Sequence, residues 1–105
     1  MEILSLFNVA LAKILPKRNL AQIERQRTLS VIPTDIFNDI IKDLRSQGWK
    51  KIDEYKNFDA WIDYGMMLLR KKDIKLKFEW DNWTEGEIHG PDTTVQELKD
   101  RYKLK

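Results

Sequence analysis

Glu85, Glu87 and His89 alternate along one short stretch, so an extended chain projects all three side chains from one face. Two carboxylates and an imidazole placed this way could bind a divalent cation or share acid–base work. The same spacing equally describes a solvated edge strand whose charges face water, the common state of such residues. The run before it, Phe78-Glu79-Trp80-Asp81-Asn82-Trp83-Thr84, is aromatic and acidic and holds two of the four tryptophans. Trp83 has three readings: a desolvated anchor at an interface, a platform for a sugar ring, or a ring folded back over the sheet edge. As an interface, Trp83 with Asp81, Glu85, Glu87 and His89 suits a basic partner drawn in by electrostatic steering.

Other chemistry is thinly represented. With no cysteine and a single histidine, disulfide scaffolds, thiolate zinc sites, cysteine nucleophiles and two-histidine metal motifs are excluded. Ser5, Ser30 and Ser46 all lie outside any G-x-S-x-G elbow. No Gly-rich phosphate loop, RNP or zinc-finger pattern occurs. The chain is therefore expected to be a non-catalytic protein-binding domain with no cofactor and no metal. A small enzyme or metal-binding protein using Glu85, Glu87 and His89 is the alternative.

The 105 residues carry 19 Lys plus Arg against 17 Asp plus Glu, a net charge of +2. That charge is unevenly placed. Residues 1–33 hold Lys13, Lys17, Arg18, Arg25 and Arg27 against Glu2 and Glu24, a basic patch that could meet phosphates or anionic lipid. Nucleic-acid domains are far more basic, so nucleic-acid binding and membrane-surface contact both rank below a protein partner. No run reaches the roughly 20 apolar residues of a membrane-spanning helix. The apolar stretch from Ile3 to Leu15 lacks a basic start and a small-x-small cleavage site, so a cytoplasmic chain is expected.

The elements that must position these residues follow from hydrophobic period. One α+β domain over 1–105 is expected: N-terminal helices, a four-stranded antiparallel meander and a short C-terminal helix. A helix over 2–15 has a narrow polar stripe (Glu2, Ser5, Asn8) and a wide apolar arc. Leu20, Ile23 and Arg27 suggest a second short helix over 19–29, and Val31-Ile32-Pro33 reads as a linker. A helix over 34–48 has Thr34 at its N-cap, Asp35 and Asp39 near its positive end, and Gly48 as its stop. Strands over 49–55, 58–70, 74–81 and 85–90 follow. A helix over 94–103 is capped by Thr93 or Thr94, with Thr94-Val95-Gln96-Glu97 as a capping box.

Parity selects the last hairpin's register. A two-residue turn after Asp81 would set Phe78 opposite Glu87 and bring carboxylates onto the apolar face. A three-residue loop, Asn82-Trp83-Thr84, instead pairs Phe78 with Ile88 and Trp80 with Gly86, and sends Lys77, Glu79, Glu87 and His89 outward together. Tyr64 to Leu69 is apolar at successive positions, so neither parity gives it a polar face. Either the helix over 2–15 or a partner must cover its second side; residues 3–15 could also pair two copies as a homodimer. The expected core is Ile36, Phe37, Ile40, Leu44, Ile52, Trp61, Met66, Leu68, Leu76, Phe78, Trp80, Ile88 and Leu98. In architecture alone the plan resembles many small bacterial α+β domains, toxin-neutralising immunity proteins and adaptors among them.

Overall fold

Residues 25–105, the part of the chain that the computed structural model describes, form five strands and two helices. In chain order they are β1 (Gln26–Ile32), α1 (Thr34–Ser46), β2 (Lys50–Glu54), β3 (Tyr64–Lys71), β4 (Ile74–Asp81), β5 (Glu85–Pro91) and α2 (Asp92–Arg101). The expected helix over 2–15, the start of the one over 19–29, and Lys13, Lys17 and Arg18 lie outside the described residues. The sheet order is β1-β5-β4-β3-β2, antiparallel at every junction. The expected meander is therefore present as β2 to β5, but the sheet has five strands rather than four.

The fifth strand, β1, occupies residues expected to end a helix and form a linker. A β-bulge explains the misreading. Leu29 lies opposite Ile88 and Ile32 opposite Gly86, so Ser30 and Val31 together face one residue of β5. Val31 sits at φ 55°, and the extra residue places the two buried side chains, Leu29 and Ile32, three apart. Three apart is helical spacing, although the backbone is extended.

α1 forms where its apolar stripe demands, with Phe37, Ile40 and Leu44 buried against the sheet. Its cap differs from expectation: Pro33 is the N-cap and Thr34 is the first helical residue. α2 likewise starts at Asp92 behind Pro91, with no side-chain cap, so the expected capping box is not used. Proline suits both junctions, because it lacks the N–H that a first turn leaves unpaired. Lys71 Nζ donates to the Gln47 carbonyl at 2.9 Å, satisfying part of the C-terminal end of α1.

The core lies between the helices and one sheet face. Phe37, Ile40, Leu69, Leu76, Phe78, Ile88 and Val95 are fully buried there, with Leu29, Ile32, Trp49, Met67 and Leu98 nearly so. Two glycines let aromatic rings settle on the sheet. A side chain at Gly86 would meet the Phe37 ring at 2.4 Å, and one at Gly65 would meet the Trp61 indole at 2.1 Å. Phe37 then packs edge-on to Phe78 at 5.7 Å and tilted to Trp61 at 6.3 Å.

Several expected core positions are corrected. In β3 the buried residues are Gly65, Met67 and Leu69, while Met66 and Leu68 are only half-buried, opposite Glu79 and Lys77 on the other face. The two-residue turn Lys72-Asp73 dictates this parity by pairing Lys71 with Ile74 and Leu69 with Leu76. Ile52 is exposed at a bulge in β2, between the Lys51–Leu69 and Asp53–Leu68 pairs. Ile36, Trp61 and Trp80 are half-buried around the core rather than in it. Residues 58–63, expected as the start of a strand, are a looped segment in which Trp61 has φ 63°.

Candidate functional site

The register expected for the last hairpin is the one observed: Phe78 faces Ile88, Trp80 faces Gly86, Glu79 faces Glu87 and Lys77 faces His89. Asn82, Trp83 and Thr84 form its tip, and Glu85 closes it at φ 60°. Asp81 holds the turn. Its Oδ1 accepts the backbone N–H groups of Trp83 at 2.8 Å and Thr84 at 2.7 Å, and its Oδ2 accepts the Thr84 hydroxyl at 2.9 Å. The Thr84 bonds, then the Trp83 amide, keep the Asp81 carboxyl below its usual pKa.

Glu85 works at a distance from its place in sequence. Its Oε1 accepts from both the backbone N–H and the hydroxyl of Thr34, each at 3.1 Å, so a carboxylate from β5 caps α1. The Thr34 hydroxyl also accepts from Trp80 Nε1 at 2.9 Å. Placing an anion at the positive end of the helix is favourable in its own right.

Glu85, Glu87 and His89 leave the strand toward three separate partners. Glu87 Oε2 accepts from the Ser30 hydroxyl at 3.2 Å, and His89 Nδ1 lies 2.7 Å from the Thr28 hydroxyl. Glu85 and Glu87 line a shallow opening of about 80 Å³ together with Tyr64, Glu79 and Asp81, and His89 does not. Within it the Tyr64 hydroxyl donates to Glu79 Oε2 at 2.7 Å, and Lys77 pairs with Glu79 at 3.2 Å. Burial first, then that carboxylate, pushes the Tyr64 hydroxyl up to about 12. Among the described residues no group of three or more His, Asp or Glu side chains is placed to hold a metal ion. The basic patch is also divided: Arg27 pairs with Asp92 at 3.4 Å and donates to Gln96, while Arg25 is exposed.

Trp83 is the exception at the tip, with 79% of its surface exposed. The same end of the sheet gathers other apolar surface that sequence reasoning did not single out. Asn82 is tied to Asp63 through its backbone N–H at 3.2 Å and its side chain at 2.9 Å, which sets the loop between β2 and β3 beside the tip. That loop carries Phe58, 97% exposed, and Ile62, 63% exposed. Val31, also exposed, lies near the end of β1 that pairs with Gly86. Four of the five exposed large hydrophobic residues among those described thus sit at one end.

Acidic residues are in excess at this end. Asp35, Asp59, Asp63, Asp81 and Glu85 stand there against Lys56, with Lys103 and Lys105 beside Val31 and Pro33 on the β1 side. Asp59 among these is anchored by accepting the Tyr55 hydroxyl at 2.7 Å, and Glu54, at the end of β2, accepts from Trp61 Nε1 at 2.8 Å beneath the loop. The opposite end, where β3 turns into β4, carries Arg70, Lys71, Lys72 and Lys75 against Asp73. No helix among the described residues is long and apolar enough to cross a membrane. Neither family models, nor curated proteins, nor solved structures give a match to this chain.

Proposed function

We propose that the chain is a non-catalytic protein-binding domain that contacts its partner through the acidic, aromatic end of the sheet. The observation that carries this reading is Trp83 held outward on a turn that Asp81 has already ordered. An exposed indole costs solvation and contributes nothing to the core, whereas on a preordered turn it can fill a partner's pocket with little loss of conformational freedom. Phe58 and Ile62 extend the apolar contact, and the surrounding carboxylates favour a partner with a basic surface around an apolar cleft. The sequence-level alternative, a metal or acid–base site at Glu85, Glu87 and His89, finds less support, because each side chain is engaged with a different residue.

The test is capture by the immobilised protein against a Trp83→Ala, Phe58→Ser variant. Both side chains are exposed, so the variant keeps its unfolding stability within about 0.5 kcal/mol. The wild type is expected to retain a basic protein that is released as salt is raised and that the variant fails to retain. Retention of the same proteins by both forms contradicts the proposal.

A further inference from the structure

The flank of α1 beside the buried stripe carries a second pattern. Asn38, Ile41, Lys42 and Arg45 follow i, i+3, i+4, i+7 and share one helix face. With Trp61 and Met67 from the sheet side they line an open groove of about 430 Å³. Its floor is apolar, built from Met67, Ile41 and the Trp61 ring. Its rim is cationic: neither Lys42 nor Arg45 has an ion-pair partner among the described residues. The groove is therefore the chemical complement of the tip: an apolar cleft with two cations along its α1 side, against an indole among carboxylates.

We propose that this groove receives the Trp83 tip of a second copy of the chain. The inference rests on the tip being a protein-contact surface and names the partner as the protein itself. Trp83 enters over Met67 and Trp61, and Asp59 and Asp63 approach Lys42 and Arg45. Strand-to-strand association is blunted at both sheet edges, since β1 is bulged at Ser30-Val31 and β2 at Ile52, so side-chain docking is the open route. Each copy carries both tip and groove, so the contact either closes reciprocally as a two-fold pair or repeats head to tail into a ring or an open chain.

Sedimentation equilibrium tests this on the full chain. The wild type gains mass with concentration below about 1 mM, and added salt weakens the association. Trp83→Ala and the double variant Lys42→Glu, Arg45→Glu each raise the apparent dissociation constant at least about tenfold, the loss expected for an interface anchor. Mixed in equal amounts, the two variants form a dimer and nothing larger, because one supplies an intact groove and the other an intact tip. A wild type that stays monomeric overturns the inference, as does a mixture that stays monomeric or grows beyond a dimer. A monomeric wild type that still captures a basic protein through Trp83 removes only the second copy as partner. Failure of both measurements removes the tip as a contact surface.

Discussion

Asp81 and Glu85 turn inward to hold backbone, whereas Trp83, two residues from each, turns outward with nothing to hold. The alternation of Glu85, Glu87 and His89 was legible in the sequence, and so was their shared strand. Their partners were not, because Thr28 and Ser30 belong to β1 and Thr34 to α1, elements whose approach no local spacing reveals. A further regularity belongs to this scale: every tyrosine donates its hydroxyl to a carboxylate, Tyr55 to Asp59, Tyr64 to Glu79 and Tyr102 to Asp43. Each hydroxyl is held above its ordinary pKa, Tyr55 mainly by its carboxylate partner, Tyr64 and Tyr102 mainly by burial. For Tyr64 the folded value is about 12 against an ordinary value of 10.0. In the unfolded chain this group loses its proton first, so its contribution to stability is complete below pH 10 and is lost as pH rises through 12. Urea unfolding across that range should show a steeper loss of stability in the wild type than in Tyr64→Phe. Equal slopes would disprove the assignment.

The hairpin of β4 and β5 shows what an element can disclose by itself. A one-residue slip would have put Glu85 and Glu87 on the apolar face, and that penalty alone selects the observed pairing. The same test applied to Lys72-Asp73 would have placed Met67 and Leu69 inside β3, but the apolar run from Tyr64 to Leu69 offers no polar face to be violated. β1 was hidden for a different reason, its bulge converting a strand's period into a helix's. The helix layer depends on glycine where α1 meets β5. At Gly86 a methyl group would stand 2.4 Å from the Phe37 ring, whose neighbours Phe78 and Trp61 leave it little room to yield. Gly86→Ala should therefore lower unfolding stability by about 1–3 kcal/mol, measured by chemical denaturation. A change below about 0.5 kcal/mol would mean that α1 shifts freely over the sheet.

Across the whole molecule, the near-zero net charge conceals a division along the strands. One end joins exposed Trp83, Phe58 and Ile62 to an excess of carboxylates, and the other joins the Arg70-Lys71-Lys72 turn to Lys75. The sequence disclosed the acidic, aromatic hairpin but not its companions, because Phe58 and Ile62 were expected in a strand and reach the tip only through the Asn82–Asp63 contacts. Such a division orients the molecule toward an oppositely charged surface before any contact forms, and salt weakens it. The most direct measurement places a photo-reactive phenylalanine analogue at position 83 in one variant and at position 72, on the opposite turn, in another. Irradiation in the presence of captured partner should give cross-linked protein from position 83, reduced by salt, and none from position 72. Cross-links from position 72 with none from position 83 would contradict the assignment of the acidic, aromatic end as the contact surface.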